Sequence, residues 1–480
     1  MDGAMSQIDH VVVLMLENRS FDSILGKLYP KSAGFNGLSG AESNLDATGQ
    51  RIAVWNSPGV DDTTMVIPSP DPGELYIDIN TQLFGAPGVT VPPSPTMGGF
   101  AGNYMTQPDP GSRIAKSVMH YFSPEQVPAI SQLARQFAVC DQWHASAPCQ
   151  TWPNRFFVHT GTAGGYENNS PTHFPYEMPT IFTRFQKQGV PGDWRIYFHD
   201  VPQSLALSDL WPHVDHFRLY AEFVRDARSD TLPSYSFIEP RYFPDSDLPN
   251  DQHPPHVVTL GEQLIADVYN QLRSGPSWTR TLLIITYDEH GGCFDHVAPP
   301  TAVPPNSIPT APFNFDRYGV RVPALLISPW IPQGTVLRPP PPGTPPFDHT
   351  SIITLLRNRF SLGPQLTDRD GVAPDPGSAL TLTAPTNLGP ERIDALPYAP
   401  SPNDVARARA EPPNKMQEAL TELAAHLPQN LANKSLLATL DNRLLTVLNA
   451  LPAELANALQ SRSNALHFIK DRLSGFLSSL

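Results

Sequence analysis

Two adjacent carboxylates, Asp288 and Glu289, follow an apolar run at 282–286 and precede the pair Gly291-Gly292. The run is rich in β-branched residues and predicts a buried strand. Open α/β sheets bind ligands at the carboxyl ends of their strands, and oxygen ligands suit Zn²⁺, Ca²⁺, Mg²⁺ or Mn²⁺. Neighbouring side chains diverge along an extended strand, so the two carboxylates can meet only if the glycines permit a turn. A metal site and a solvated loop are the two interpretations of this stretch.

A second strand-like segment, 8–16, also ends in oxygen-bearing side chains, those of Glu17 and Asn18. If this strand and 282–286 are parallel, their polar ends meet at one edge of the sheet. Three carboxylates gathered at one edge disfavour each other's charge unless a cation is present. The two strand ends together therefore predict a shared metal site, although Asn18 alone could also be a helix N-cap.

The segment 151–155, TWPNR, predicts the start of a helix, because Pro153 suits a first helical turn. Thr151 would then lie near the helix N-terminus, where backbone N–H groups and the helix dipole favour phosphate. A hydroxyl in that position, beside a metal, can lose its proton and attack phosphorus. The alternative is that Thr151 serves only as an N-cap.

Three motifs, ENRSFD at 17–22, TWPNR at 151–155 and YDEHGG…DH at 287–296, together resemble the bacterial phosphoesterase family. That family includes phosphatidylcholine-preferring phospholipases C, the non-specific phospholipases C of plants and a respiratory-burst-inhibiting acid phosphatase. The resemblance covers about 8–356 and implies an alkaline-phosphatase-like α/β/α fold with metal-assisted phosphoryl transfer. Thr151 matches the family's nucleophile, which is Thr in the phospholipase-like members and Ser in the acid phosphatase. The metal ligands that it implies are Glu17, Asn18, Thr151, Asp288 and Glu289.

The same resemblance implies further residues around the phosphate. A histidine there can hold phosphate oxygens or protonate the leaving oxygen. Arg155 could instead brace its helix, and Asp348 could cap the helix that follows it. The expected catalytic histidines are His199, His253 and His296, and the expected substrate-binding residues are Asn154, Arg155, Asp348 and His349.

The fold class predicted from the pattern of elements is α/β, with a mostly parallel sheet in a three-layer α/β/α domain. We place this catalytic domain at 1–402 and a C-terminal helical region at 403–480, where Leu replaces Pro. Pro and Gly are abundant, with 55 and 31 residues, and predict long loops. The loop-rich segment 27–112 could form a wall of the substrate cleft or an ordinary surface loop. The predicted strands are 8–16, 136–140, 194–198, 282–286 and 322–328.

The C-terminal region contains helical patterns at 416–427, 436–451 and 455–480. Its apolar residues recur at the spacing of a buried stripe. One interpretation is a helical hairpin packed on the main domain. The other is an interfacial module that contacts a membrane peripherally, because the last helix has an amphipathic end formed by Leu466, Ile469, Leu473, Phe476, Leu477 and Leu480.

Charge and composition exclude several classes of partner. The net charge of −14 argues against nucleic acid and against capture by anionic membranes, but not against zwitterionic lipid. No apolar run reaches the roughly 18 residues of a membrane span. The amino terminus has no signal-peptide pattern, so we expect a cytoplasmic protein, signal-independent export or a leader already removed. Three cysteines form neither a disulfide framework nor a zinc knuckle.

The predicted function is a metal-dependent phospholipase C that converts phosphatidylcholine to diacylglycerol and phosphocholine through a phospho-threonine. The first alternative is a broad acid phosphomonoesterase, and an alternative of another class is an inactive phospholipid-binding protein. The expected cofactor is one divalent ion, with zinc favoured over calcium or another divalent metal. Cation–π attraction suggests that aromatic residues cradle the quaternary ammonium, and the candidates are Tyr121, Trp143, Trp152 and Tyr197.

Overall fold

The structure is a computed structural model that describes residues 3–85, 94–108, 110–190, 193–306, 314–340, 343–427 and 452–478. The strands are β1 (His10–Leu16), β2 (Ser43–Leu45), β3 (Arg51–Ala53), β4 (Ala138–Cys140), β5 (Trp143–His144), β6 (Trp194–Phe198), β7 (Phe217–Leu219), β8 (Tyr235–Glu239), β9 (Thr281–Tyr287), β10 (Ala324–Ile327), β11 (Thr335–Leu337) and β12 (Phe347–Asp348).

The helices cover much of the remaining sequence. They are α1 (Phe21–Leu25), α2 (Tyr76–Phe84), α3 (Phe100–Thr106), α4 (Pro128–Gln136), α5 (Thr151–Thr160), α6 (Ile181–Gln188), α7 (Tyr220–Arg228), α8 (Val258–Ser274), α9 (Thr350–Phe360), α10 (Asp368–Val372), α11 (Pro402–Ala410), α12 (Lys415–His426), α13 (Pro452–Ala458) and α14 (Arg462–Ser478).

One large sheet organises the described residues, with the strand order β11-β4-β10-β9-β1-β8-β6-β7. Its pairs are parallel, except that β10 runs antiparallel to both β4 and β9. The five predicted strands are all present in this sheet, and the prediction of a mostly parallel sheet is confirmed. Three further strands, β7, β8 and β11, were not predicted.

Helices cover the sheet in two groups. The central strands β1 and β9 are buried along nearly their whole length, so apolar layers must cover both of their faces. In one group α8 contacts α4 and α7, and in the other α5 contacts α6 and α9. This arrangement confirms the predicted α/β class with helical layers around the sheet.

The C-terminal region packs on the rest of the protein. The predicted helix at 416–427 matches α12, whereas the one at 436–451 lies outside the described residues. The third predicted helix, 455–480, is wrong as one element, because α13 and α14 are separate. Their separation has a local cause, since the Ser461 hydroxyl accepts a hydrogen bond from Asn464 N (3.2 Å) and so caps the start of α14.

The apolar stripe of α14 is buried. Leu466, Ile469, Leu473 and Phe476 are at most 7% exposed and belong to the same apolar core as the sheet. These four residues are therefore not free for membrane contact, Leu477 packs against the same core, and Leu480 lies outside the described residues. The packed interpretation is supported, and peripheral membrane contact stays a prediction. Among the described helices, none is long and apolar enough to cross a membrane.

We predict that Phe476→Ala destabilises the whole fold. Phe476 packs edge-on against Trp211, with ring centroids 5.6 Å apart, and removal of such a buried ring costs about 3–5 kcal/mol. Thermal unfolding should show one transition at a lower temperature. The matched control is His467→Ala, an exposed position on the same helix, which should change stability by less than about 0.5 kcal/mol. Two separate transitions, with only the first shifted, would contradict a single core.

Candidate active site

The site is built at the carboxyl ends of the neighbouring strands β1 and β9. These strands are parallel, and Leu16 lies opposite Tyr287. The Asp288 N–H donates to the Leu16 carbonyl oxygen at 3.2 Å. Glu17 and Asp288 therefore begin their turns side by side, as the sequence predicted.

Two tight turns bring the polar side chains together. Asn18 has a φ of 56° and Gly291 a φ of 58°, the left-handed region that Asn tolerates and Gly adopts freely. The Asn18 N–H donates to Asp288 Oδ1 at 2.9 Å, and the Asn18 amide donates to Glu289 Oε1 at 2.9 Å. A Cβ at Gly291 would lie 2.2 Å from the Asn18 carbonyl oxygen, so only glycine fits. The alternative of Asn18 as N-cap is wrong, because Ser20 caps α1.

Thr151 is the first residue of α5 and points at the same cluster. Its hydroxyl lies 3.5 Å from Glu17 Oε2 and 3.5 Å from Asn18 Oδ1. The N-cap position belongs to Gln150, so the alternative of Thr151 as N-cap is wrong. Asn169 instead accepts a hydrogen bond from Trp152 N at 2.8 Å. The Thr151 hydroxyl therefore does not cap α5 and faces Glu17 Oε2 and Asn18 Oδ1.

One arginine faces the buried carboxylates. Arg155 forms an ion pair with Glu17 Oε1, and its Nε lies 3.7 Å from Asp288 Oδ2. Burial raises the pKa of Glu17 well above its usual range, against the lowering effect of Arg155 and with a further rise from Asp288. Burial and the Asp288 charge also raise the pKa of Glu289. These contacts fit the bracing role of Arg155, and substrate contact by it stays a prediction.

The donor set fits a divalent cation. Asp288 Oδ2 is buried and has no hydrogen-bond partner among the described residues. Glu17 Oε2 and Asn18 Oδ1 both lie 3.5 Å from the Thr151 hydroxyl, and all three are oxygen donors of the kind that hard divalent ions prefer. A cation would also compensate the buried negative charge that Arg155 only partly balances. Both oxygens of Glu289 already accept hydrogen bonds, from Asn18 Nδ2 and from Gly291 N, so the role of Glu289 as a metal ligand stays a prediction.

Two acidic residues of the loop-rich segment, Asp71 and Glu74, also lie at the site and were not predicted from the sequence. Glu74 Oε1 accepts from the Asn18 amide at 2.6 Å and lies 3.5 Å from His253 Nε2. Ligand atoms of Asp71, Glu74 and His253 all lie within 4.8 Å of one another, a spacing that is compatible with metal binding. No local pattern marks Glu74, because only the tertiary fold brings it to Asn18.

Gln203 and Glu239 were also missed. Gln203 Nε2 donates to Glu17 Oε1 at 2.8 Å. Glu239, at the end of β8, holds the Gln203 segment by accepting from Gln203 N at 2.7 Å and from the Ser204 hydroxyl at 2.7 Å. The run YSFIE at 235–239 is a strand signal that could have indicated this fourth carboxylate at the sheet edge.

Two of the four predicted histidines, His253 and His349, adjoin the site, whereas the ring of His199 stacks on Tyr220 of α7. His253 is buried beside Glu74, and although burial alone lowers its pKa, Asp71 and Asp251 raise it overall. His199 bonds to the Glu239 carbonyl oxygen at 3.1 Å, and burial lowers its pKa to about 4. His349 is fully buried, with Nε2 2.6 Å from the Asp288 carbonyl oxygen and Nδ1 accepting from Trp143 at 3.4 Å. His349 therefore positions the Asp288 turn, and substrate contact by His349 stays a prediction.

Asn154 and Asp348 both bond to neighbouring segments of the protein. The Asn154 side chain bonds to the backbone of Ala147 (3.0 Å) and Cys149 (2.8 Å), which fixes the loop before α5. Asp348 accepts from the hydroxyls of Ser146 (2.8 Å) and Thr350 (2.6 Å). Their polar atoms already have partners within the protein, and their substrate-binding roles stay predictions. Asp348 is not a cap either, since His349 occupies the N-cap position of α9.

His296 belongs to a different cluster. Its Nδ1 lies 2.7 Å from Asp22 Oδ2 and its Nε2 3.1 Å from Asn36 Oδ1. The buried Arg321 pairs with both Asp22 (2.9 Å) and Asp295 (3.0 Å) in the same cluster. Both ring nitrogens are engaged in this cluster, which is separate from the ligand set, and a catalytic role for His296 stays a prediction.

A cavity of about 600 Å³ adjoins the site. Glu74 lines it, as does Gln150, which directly precedes Thr151. Asp71, Pro72 and Leu75 also line it, which supports the interpretation of the segment 27–112 as a cleft wall. The predicted aromatic cradle is contradicted, because Trp143, Trp152 and Tyr197 are fully buried and Tyr121 lies under Lys27; none of the four lines the cavity.

The chain is similar in sequence to known proteins. The model of the Phosphoesterase family matches residues 8–363. Non-specific phospholipase C1 of Arabidopsis thaliana is 40% identical over 76% of this chain and 69% of its own length. Non-specific phospholipase C6 of the same plant is 37% identical over 88% and 80%, and phospholipase C A of Mycobacterium tuberculosis is 30% identical over 83% of each chain. The match to a solved structure of a protein in the alkaline phosphatase superfamily from Vibrio parahaemolyticus covers 52% of this chain and 63% of that one, with 12% identity and a TM-score of 0.30.

We predict that Glu17→Gln and Asp288→Asn each weaken binding of a divalent metal by at least about tenfold, because each removes a charged oxygen ligand. The measurement is the rise in melting temperature when zinc is added back to chelator-treated protein, which needs no substrate. Asp394→Asn, an exposed position, is the matched control and should respond like the wild type. An undiminished rise in both site variants would contradict the shared metal site.

Proposed function

Because this chain belongs to the phosphoesterase family, we propose that it is a metal-dependent phospholipase C that converts phosphatidylcholine to diacylglycerol and phosphocholine. The family and its phospholipase relatives establish a hydrolase of phosphoric ester bonds. Phosphatidylcholine as the substrate and a covalent phospho-threonine mechanism are the two further points that we propose. The observation that carries it is the Thr151 hydroxyl, which lies 3.5 Å from Glu17 Oε2 and Asn18 Oδ1 at the start of α5.

Thr151 acts as the nucleophile in this proposal. Its hydroxyl gives up a proton, Oγ1 forms a bond to phosphorus, and the bond from phosphorus to the diacylglycerol oxygen breaks. Water then attacks the phospho-threonine, releases phosphocholine and returns the proton to Thr151. When bound, a divalent cation would lower the pKa of the hydroxyl and neutralise charge on the phosphoryl oxygens. The N-terminus of α5 adds a favourable dipole for the phosphate.

A proton must reach the leaving diacylglycerol oxygen, and His253 is the residue that we assign to this step. It lies beyond Glu74, which bonds to Asn18, so it is close to the ligand set without belonging to it. The carboxylates of Asp71 and Asp251 outweigh burial and raise its pKa, which favours the protonated imidazole that a general acid requires. His199, whose pKa is lowered to about 4, suits a neutral hydrogen-bonding role.

Zinc is the metal that we propose. Glu17, Asn18, Thr151, Asp288 and Glu289 supply oxygen, a set that also suits calcium. Carboxylate oxygen is also a ligand of Zn²⁺, and His253 stays outside the ligand set as the proton donor. Metal analysis of the purified protein, with recovery of activity after chelation, decides between the two ions.

The site is less suited to the two alternative functions, an acid phosphomonoesterase and an inactive lipid-binding protein. A broad acid phosphomonoesterase would use the same nucleophile and ligands, but Thr at position 151 is the phospholipase-like residue of the family resemblance. A lipid-binding protein without activity would have no need of a hydroxyl directed at buried carboxylate and amide oxygens. Contact with lipid must in any case use a surface other than the buried stripe of α14.

We predict that Thr151→Val lowers turnover by at least about 10³-fold, because it keeps the shape of the side chain and removes the nucleophile. Thr151→Ser should retain part of the rate. Both variants should be assayed on phosphatidylcholine micelles, a soluble choline phosphodiester and a phosphomonoester, with unchanged melting temperature as the control for folding. Near-wild-type turnover by the valine variant would refute the covalent mechanism, and preference for the monoester would favour the acid phosphatase.

A further inference from the structure

The cavity beside Thr151 is formed partly by the C-terminal region. One wall carries Glu74 and Gln150, which adjoin the ligand set and the nucleophile. The other wall comes from α12, through Lys415, Glu418, Ala419 and Glu422. The region beyond residue 402 is therefore part of the cleft, and not only a helical appendage.

The position of α12 is fixed by hydrogen bonds and by packing. Asn414 caps the helix by accepting from Gln417 N at 2.8 Å, and Gln417 Nε2 donates to the Tyr242 carbonyl oxygen at 2.7 Å. Its apolar face, including Leu420 and Leu423, is buried in the core. The polar residues at 415, 418 and 422 fall on a second face with helical spacing, so the core packing of α12 directs them to the cavity.

The charge of the cavity is predominantly negative. Its lining includes five carboxylates and two cationic side chains, Arg113 and Lys415. Lys415 lies 3.2 Å from Glu418, but it is 86% exposed, and such surface pairs contribute little. Glu422 is half-buried, and burial together with the Glu418 charge raises its pKa. A ligand that carries a positive charge would relieve this repulsion, whereas an anionic head group would add to it.

We propose that Glu418 and Glu422 of α12 recognise the cationic nitrogen of the lipid head group, so that the C-terminal region sets head-group selectivity. This inference rests on the proposed phospholipase C reaction, in which the head group stays on Thr151 while diacylglycerol departs. The head group is then the part of the substrate that needs a pocket beside the nucleophile. Among the described lining residues none is aromatic, so carboxylates take the place of the cation–π contacts expected from the sequence.

The test compares two soluble p-nitrophenyl phosphodiesters that differ only in charge. One carries choline and the other 3,3-dimethylbutanol, in which carbon replaces the nitrogen. The wild type should prefer the choline ester by about tenfold in kcat/KM, and Glu418→Gln/Glu422→Gln should lose most of that preference while it retains activity on the neutral ester. Lys415→Gln should change the preference in the opposite direction. Glu454→Gln, an exposed position on α13, is the matched control.

A second measurement separates this inference from the proposed function. Calorimetry with phosphocholine and with 3,3-dimethylbutyl phosphate reads head-group binding without any turnover. Tighter binding of phosphocholine that the double variant loses supports the head-group site even if neither diester is hydrolysed, in which case the reaction assignment fails. Equal affinities for the two phosphates in the wild type, or an equal loss on both diesters in the double variant, would overturn the head-group site while leaving the phospholipase assignment intact.

Discussion

The buried negative charge at the carboxyl edge of β1 and β9 is the constraint on which the rest of the site depends. Glu17, Asp288 and Glu289 are fully enclosed, and the pKa values of Glu17 and Glu289 are raised mainly by that burial. Enclosed carboxylates of this kind are costly unless they are paired, hydrogen-bonded or bound to a metal. Arg155 balances part of the charge, and the turn N–H groups of Asn18 and Gly291 bind the carboxylate oxygens.

Support for this cluster comes from distant parts of the chain. Glu239 at the end of β8 holds Gln203, and Gln203 in turn donates to Glu17. His349 binds the carbonyl of Asp288 from the start of α9, and Asn154 fixes the loop that leads into Thr151. These residues contribute geometry, and a small displacement of any of them would reach the reacting atoms.

The sequence was informative where a function depends on local order. A strand followed by polar residues and a turn predicted Glu17, Asn18, Asp288 and Glu289, because parallel neighbours end at the same edge. Glu74 and Gln203 were not predicted, since their contacts to Asn18 and Glu17 span 56 and 186 residues. The family resemblance implies a catalytic role for His296 and substrate binding by Asp348, yet their contacts are with Asp22 and Ser146. A motif gives the identity of a residue, but only the fold determines the atom that it faces.

The reversed direction of β10 allows the connection between β9 and β10 to vary in length. Since β10 runs antiparallel to β9, the chain leaves β9 and re-enters the sheet at the same edge, with no helix among the described residues 288–306 and 314–323 of the connection. The connection, 288–323, therefore begins with the ligand turn and ends at Arg321, which anchors it through Asp22 and Asp295. Its length is not set by the need to span the sheet. Insertions or deletions between these two anchors can therefore be accommodated in related sequences while the strand register stays unchanged.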